Sequence, residues 1–331
     1  MAEPTWREEI PEGEAERFEE LAKRLVGAGK REGRTLHVRS HVNLRATLVV
    51  GEVEPDLRHG LFAAPATREA YVRFSAGAGR AQPDRAPDVR AIAVKVCGVP
   101  GAKVIPGLED AETQDFLAIL TPTFGFKRPE AFVDVAVAAQ KGQLAVLGAI
   151  VRNFGLFGAF GMLPKLQAAL DKSRASLAER TYYTALPIRL GPGAVKVRFR
   201  AEANGGAQAT PGDDALGQEL RDRVAKDEVR FALEVQRFAD EARTPIEDPT
   251  VLWDTPWVRA ATLAIPAQDT RAPEGEKLSA YVESLSFDPW HALVEHRPLG
   301  AIMRARAAAY RVSVEARGAR DERTVVPPSK L

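Results

Sequence analysis

The segment EAYVRFSAG, residues 69–77, has the composition typical of a β-strand, and the turn-rich segment GAGRAQPDRAPD, residues 77–88, follows it directly. Strand-like segments separated by turn signals continue on both sides. Three more lie in the first part of the chain: LRATLVVGEVE (44–54), VRAIAVKVCG (89–98) and TQDFLAIL (113–120). Four come later: YYTALPIRL (182–190), AVKVRFRAE (194–202), VRFALEVQRF (229–238) and VRAATLAIP (258–266). The sequence therefore predicts two groups of four strands.

Helical patterns frame these two groups. Residues 10–30 have the pattern of an amphipathic helix, a helical region runs from about residue 129 to 180, and residues 275–320 return to helix. EANGGAQATPGDD (202–214) is predicted to be a surface loop. This order lacks the strand–helix alternation of a Rossmann sheet. We predict an α+β fold in which a closed eight-stranded antiparallel β-barrel is surrounded by helices.

The domain organisation follows from the same pattern. We expect one domain over residues 1–331, in which an N-terminal helical arm (1–30) precedes the barrel (44–266). The barrel region contains the helical insertion at about 129–180, and the C-terminal helical segment covers 275–320.

Composition and charge exclude several classes of protein. The chain has 331 residues, of which 45% are hydrophobic and 27% charged, and this is enough apolar material for a large core. The net charge of +1 gives no overall field that would favour nucleic acid or an anionic membrane. Cys97 is the only cysteine in the sequence, so an internal disulfide and a cysteine-based zinc cluster are excluded. The acidic, helical N-terminus does not resemble a signal peptide, and we expect a cytoplasmic protein.

The segment LAVLGAIVRNFGLFGAFGMLPKL (144–166) is apolar enough to suggest a membrane span. Arg152 and Asn153 interrupt its middle, several glycines loosen it and Pro164 ends it. These features disfavour a span, because charged and helix-breaking residues are rare in lipid. We predict one or two buried helices. The alternatives are an apolar substrate entrance or a surface that touches lipid.

Two histidines lie four residues apart in RTLHVRSHVN, residues 34–43. His37 and His41 could be a metal pair, two structural residues, or one catalytic histidine with a neighbour. Zinc requires three or four ligands, and no third ligand of suitable spacing follows. We therefore interpret His41 as a satisfied structural histidine or a neighbour of the site. His291 and His296, in WHALVEH, are predicted to be packing residues.

A second pair lies in MRARAAAYR, residues 303–311, where Arg306 and Tyr310 share one helical face. A guanidinium beside a phenol stabilises the phenolate, which is a hard anionic ligand suited to ferric iron. The small alanines between them would let a flat macrocycle approach the helix. The pair alone is a weak signal, because most Arg/Tyr pairs on helices have no such role.

Several motifs, taken in chain order, resemble those of the haem catalase family, in particular its short catalase-related peroxidases. RTLHVRS (34–40) is similar to the family's Arg-x-x-His-Ala-Lys-Gly, which implies that His37 is the distal histidine and Arg34 a haem-propionate arginine. YVRFSAG (71–77) resembles Val-Arg-Phe-Ser, which implies that Arg73 is a second propionate arginine. The same motif implies that Ser75 is the serine that hydrogen-bonds the distal histidine.

The later motifs extend the resemblance. DVRAIAVKV (88–96) is similar to Asp-Pro-Arg-Gly-Phe-Ala-Val-Lys-Phe. LTPTFGFKRPEAF (120–132) resembles the stretch with Asn-Thr-Pro-x-Phe-Phe, which implies that Phe132 covers the haem face. FDPWHALVEHRPLGAIMRARAAAY (287–310) resembles Phe-x-Pro leading into Arg-x-x-x-Tyr. It implies that Tyr310 is the proximal ligand of the haem iron, Arg306 its partner and Arg317 the third propionate arginine.

The chain departs from the family at three places. Ile119 and Leu120 stand where the family has a distal asparagine, Gly125 replaces the second phenylalanine after the proline, and Val314 replaces a histidine after the tyrosine. A less polar distal side should orient hydrogen peroxide less well and could admit a bulkier peroxide.

The resemblance implies a haem b peroxidase with the catalase-like barrel. It would reduce hydrogen peroxide or organic hydroperoxides with an organic electron donor, and would have weak catalase activity. One alternative is a fatty-acid hydroperoxide isomerase or lyase. Another is a haem- or lipid-binding protein without turnover, although four retained residues argue against it: His37, Ser75, Arg306 and Tyr310. We also expect a homo-oligomer, no nucleic-acid partner and no membrane span.

Overall fold

The computed structural model describes residues 6, 10–11, 13–28 and 33–331. These residues contain nine strands and six α-helices. The strands are β1 (Ser40–Val50), β2 (Ala66–Ala76), β3 (Arg90–Cys97), β4 (Thr113–Ile119), β5 (Thr181–Tyr183), β6 (Ile188–Leu190), β7 (Gly193–Ala201), β8 (Val229–Arg237) and β9 (Trp257–Ile265). The helices are α1 (Glu14–Ala28), α2 (Pro129–Ala139), α3 (Gln143–Ala169), α4 (Ala215–Val224), α5 (Pro273–Ser284) and α6 (Ala301–Arg317).

Within the described residues, eight strands close into an antiparallel barrel. The order around it is β5-β4-β3-β2-β1-β9-β8-β7, and pairing of β5 with β7 completes the ring. β6 pairs with β7 outside the ring. The predicted strand at 182–190 is broken in two, because Ala185 adopts a φ of 59° and Pro187 has no N–H to donate. The predicted α+β fold with a closed eight-stranded barrel is confirmed.

Side chains fill the barrel interior. Alternate residues of β1 and β2, such as Leu44, Val72 and Phe74, belong to one continuous core. The ring of Phe74 contacts those of Tyr182 and Phe231 from other strands. Because side chains alternate across a strand, the residues on either side of Phe74 point away from this core. The outer face of β2 therefore presents polar side chains towards the helices.

Helices α5 and α6 cover this outer face. Asn43 Nδ2 of β1 donates to Ser279 Oγ at 3.1 Å and to Glu283 Oε1 at 3.1 Å, both on α5. Helix α1 packs along α6, where Phe18 and Leu21 meet Ala305 and Ala308. A polar layer thus lies between the barrel wall and the two C-terminal helices.

Two helical predictions need correction. Residues 285–300 are not α-helical, and Pro289 and Pro298 in this stretch explain the break, since proline removes a helical donor. Helix α4 follows the predicted loop at 202–214 and was not anticipated. Its Leu216 and Leu220 are buried in the main core, so α4 is part of the barrel's outer packing.

The prediction that residues 144–166 are buried is wrong. Helix α3 is long and apolar enough to cross a membrane by length and composition, yet only 22% of its most apolar stretch is buried. Its Gly155 has a φ of 69°, which separates two helical parts. Large apolar side chains, among them Phe157 and Phe160, are exposed.

Candidate active site

His37 is held at the edge of the barrel by its backbone and its ring. Its N–H donates to the carbonyl of Gly77 at 3.1 Å, and its φ of 55° is unusual for a residue with a side chain. The ring Nδ1 lies 3.1 Å from Ser75 Oγ on β2. A strained backbone that its surroundings hold in place is common at functional sites. Ser75 thus holds the ring in this orientation.

Burial, followed by the charges of Arg73, Arg306 and Arg34, lowers the pKa of His37 to about 3. The imidazole is therefore neutral at pH 7. When Nδ1 carries the proton and donates to Ser75, Nε2 has a free lone pair that can accept a proton from a bound molecule.

Three arginines surround one carboxylate next to His37. Arg73 Nε donates to Glu283 Oε1 at 3.0 Å, and its Nη2 donates to the carbonyl of His37 at 2.9 Å. Arg34 and Arg317 both donate to the carbonyl of Leu285, at 2.9 Å and 2.8 Å. Three remote parts of the sequence therefore converge on the end of α5.

The cluster carries more positive than negative charge. Burial and the charges of Arg73 and Arg317 lower the pKa of Arg34 to about 9. Although burial raises the pKa of Glu283, the charge and hydrogen bonds of Arg73 outweigh it, so this pKa is lowered and the carboxylate is ionised. Among the described residues, Glu283 is thus a single negative charge against three positive ones. Arg34 Nε is buried without a hydrogen-bond acceptor in this part of the structure.

Helix α6 supplies the other side of the site. Arg306 Nη2 donates to Tyr310 Oη at 2.9 Å. Arg317 lies seven residues after Tyr310 and so shares its helical face. The charge of Arg306 acts on His37 and the hydroxyl of Tyr310 acts on Arg34, which places these groups in one electrostatic site. Ala308, between the pair, packs against α1 on the opposite face, so not all the intervening alanines face the site.

Phe132 lies on α2 in an aromatic group beside α6. Its ring centroid is 5.2 Å from that of Phe124 and 5.7 Å from that of Phe126. It also packs against the cluster that joins α1 to Ala305 and Ala308 of α6. The structure thus brings seven of the eight predicted residues into mutual contact or electrostatic reach. Phe132 instead packs in the aromatic group and with the cluster that includes Ala305 and Ala308.

Sequence reasoning missed Glu283. It lies four residues before Phe287 and has no motif of its own. Three arginines predicted for one site could have indicated it, because buried like charges require a counter-charge.

No family model and no curated protein sequence matches the chain. A fungal catalase superposes with a TM-score of 0.71 at 16% identity, over 100% of this chain and 68% of its own. A bacterial catalase gives 0.67 at 16%, over 100% and 65%. Catalase A from Saccharomyces cerevisiae gives 0.68 at 14%, over 96% and 67%.

The chain has the catalase-like fold. It spans about two thirds of the length of these catalases. At 14–16% identity the likeness shows the fold alone.

In this catalase-like barrel His41 is separate from His37. The register of β1 shifts between Ser40 and Val42, and this irregularity turns His41 towards Asp84, with Nδ1 3.5 Å from Oδ1. Burial, then Arg90 and Arg39, hold the pKa of His41 well below its usual value. Neither ring nitrogen makes a hydrogen bond in the described chain, and the contact with Asp84 is the polar neighbour of the ring. His37 contacts Ser75 and His41 faces Asp84, so the two rings have different neighbours.

In the part of the chain that the structure describes, two groups of side chains offer metal-type ligands, but cations of the protein already occupy both. His41, Asp84 and Asp214 come together, and Arg39 bridges the two carboxylates at 2.9 Å and 2.7 Å. Asp115, His291 and Glu322 form the second group, around the ammonium of Lys95. His291 therefore has the packing role that the sequence predicted. His296 Nε2 accepts from the N–H of Leu61 at 2.8 Å, which is also a packing role.

Proposed function

We propose that the protein is a haem-dependent peroxidase that reduces hydrogen peroxide or organic hydroperoxides with an organic electron donor. One observation carries the proposal. The His37–Ser75 pair, the Arg306–Tyr310 pair and the three-arginine cluster occupy one site between the barrel wall and α6.

The cluster fits a haem. Two of the three guanidinium charges lack a counter-charge among the described residues, and a haem carries two propionates. Guanidinium groups bind carboxylates through paired, charge-assisted hydrogen bonds. Arg34 Nε is buried and makes no hydrogen bond, with Glu283 Oε2 3.7 Å away, so it is one donor that such a carboxylate would satisfy. Arg34, Arg73 and Arg317 would hold the propionates, and Tyr310 would bind the iron.

Tyr310 and His37 would share the chemistry between them. A bound haem iron would supply the electron transfer of peroxide reduction. Arg306 donates to Tyr310 Oη and so stabilises the phenolate, which is the ligand form. His37, neutral because of its low pKa, would take the proton of the peroxide at Nε2 and return it to the leaving oxygen. Ser75 would keep the ring in place.

We propose that the distal side is apolar, because Ile119 and Leu120 stand where the resemblance implies an amide that would orient hydrogen peroxide. Ile119 ends β4, and Leu120 packs against the barrel core. Loss of one positioned hydrogen-bond donor commonly costs a rate factor of about 10²–10³. We therefore propose that oxygen evolution from hydrogen peroxide is weak. A cytoplasmic location and a homo-oligomeric assembly are further parts of this proposal.

A fatty-acid hydroperoxide isomerase or lyase is the second candidate. Two features favour it. Leu120 is apolar, and an aromatic group connects α3 to α6 through Phe154, Phe126 and Phe132. Such an enzyme would rearrange its substrate without oxidising a donor.

The test begins with the absorption spectrum after reconstitution with haem. We expect a stoichiometric ferric, tyrosinate-type spectrum that is lost or altered in Tyr310→Phe. Rates are then compared for hydrogen peroxide, a small alkyl hydroperoxide and a fatty-acid hydroperoxide, each with an aromatic donor. Colourless protein contradicts haem binding. Oxygen evolution as fast as in a full-length catalase contradicts the apolar-site argument, and rearranged lipid without donor oxidation favours the isomerase.

A further inference from the structure

Helix α3 has one packed side and one free side. Ala149, Ile150, Ala159 and Met162 are buried in the cluster that it shares with α2. Its other side exposes Leu156, Phe157 and Phe160, at 68%, 94% and 74% of their accessible surface. Contiguous apolar patches of this kind are rare on soluble monomers and usually mark a contact with a partner or a lipid surface.

Along the sequence of α3 and the turn before it, the charged residues have one sign. Between Asp134 and Asp171 the sequence has no acidic residue, whereas Lys141, Arg152 and Lys165 lie in this interval and are exposed. Arg152 pairs with Asp134 at 3.0 Å but keeps 68% of its side chain in solvent. The region is therefore both apolar and basic, although the whole chain is nearly neutral.

We propose that α3, with its basic residues Lys141, Arg152 and Lys165, is a docking surface for anionic lipid bilayers. Phenylalanine and leucine side chains would enter the boundary between headgroups and acyl chains, and the basic side chains would meet lipid phosphates. This combination is typical of helices that lie in the membrane interface.

The packing of α3 excludes a transmembrane arrangement. Asn153 Nδ2 donates to Asp134 Oδ2 of α2 at 2.9 Å, so the middle of α3 is tied to the protein. The non-helical Gly155 would leave backbone groups unsatisfied in the hydrocarbon region, where they are costly. The helix therefore lies on the bilayer and does not cross it.

Charge also favours lipid over a second copy of the chain. In a dimer with two-fold symmetry, the same surface of the two copies forms the interface. Lys141, Arg152 and Lys165 would then face the same three residues of the partner, and like charges repel. An anionic headgroup layer offers the opposite sign over the whole surface.

The test is co-sedimentation of the full chain with extruded vesicles of phosphatidylcholine containing about a third phosphatidylglycerol, against pure phosphatidylcholine. We expect binding to the anionic vesicles that weakens as salt rises, because salt screens charges over about 10 Å at 0.1 M. The double variant Phe157→Ser, Phe160→Ser should bind roughly tenfold less. Leu252→Ser is the matched control, since Leu252 is 63% exposed elsewhere and should leave binding unchanged.

A second variant reports on insertion directly. In Phe157→Trp the added indole fluorescence should be quenched by brominated lipids, whatever the effect of the serine variants on folding. Three outcomes overturn the proposal. The first is no binding of the wild type to anionic vesicles, and the second is no quenching in Phe157→Trp. The third is self-association in sedimentation velocity that the double serine variant abolishes, together with an absence of vesicle binding. Because none of these measurements uses peroxide turnover or haem, the proposal is independent of the peroxidase proposal.

Discussion

At the scale of residues, the site is defined by charges that only partly cancel. Arg34, Arg73 and Arg317 come from three distant parts of the chain, and Glu283 balances one of them. The charges of Arg73 and Arg34 are one reason why His37 stays neutral. A neutral base next to an anion-binding group is the arrangement that peroxide chemistry at an anionic cofactor would require.

The two histidines of residues 34–43 should respond differently to substitution. We expect His37→Ala to lower the rate of reaction with peroxide by about 10²–10⁴, the usual contribution of a general base, while the haem spectrum is kept. His41→Ala should leave that rate unchanged, because His41 faces Asp84 and not the site. Stopped-flow spectroscopy of both reconstituted variants measures this. Equal losses would contradict the separate roles.

The low pKa of His37 also predicts a pH dependence of stability. Between about pH 6.5 and 3, the unfolded chain binds a proton that the folded site excludes. Within this window, lowering the pH therefore lowers the free energy of unfolding. Above it, the contribution of His37 to that free energy no longer changes with pH. Relative to His37→Gln, the wild-type free energy of unfolding should fall by up to about 1.4 kcal/mol per pH unit. Urea unfolding of both proteins at several pH values from 7 to 4 checks this. The same dependence of the free energy of unfolding on pH in both proteins would contradict it.

At the scale of elements, a short connection between two strands positions the buried His296. A 3₁₀ turn, Gly60–Phe62, lies between β1 and β2, and the N–H of its Leu61 donates to His296 Nε2. Gly60 has a φ of 53°, and a Cβ there would lie 2.5 Å from that same nitrogen. The turn and the histidine therefore fit only if residue 60 has no side chain.

Gly60→Ala should destabilise the fold. Overpacking against a buried ring commonly costs about 1–3 kcal/mol, and the left-handed φ adds to it. Gly51→Ala is the control, because a Cβ at Gly51 meets nothing within 4 Å. Urea unfolding should separate the two variants. Equal midpoints would show that the turn adjusts.

At the scale of the whole molecule, a buried ion cluster joins the barrel to the C-terminal region. Lys95 on β3 donates to Asp115 on β4 at 2.8 Å and to Glu322 beyond α6. The side chains of Lys95 and Asp115 are fully buried and that of Glu322 nearly so. The cluster thus links β3 and β4 to the segment after α6.

Lys95→Ala should cost about 3–5 kcal/mol, because it leaves buried carboxylates without their cation. Arg323→Ala removes an exposed pair with Asp321 and should cost no more than about 1 kcal/mol. Thermal and urea unfolding of both variants give the comparison. A small effect of Lys95→Ala would mean that Asp115 or Glu322 takes up a proton instead.

The sequence by itself determined the number of barrel strands and their antiparallel class, because strand composition and turn signals are local properties. It could not show that α3 is exposed, since an apolar helix has the same pattern whether protein or lipid covers it. Nor could it place Glu283 among three arginines or turn His41 towards Asp84. Those positions depend on contacts between residues far apart in the chain, and only the closed barrel with its packed helices brings such residues together.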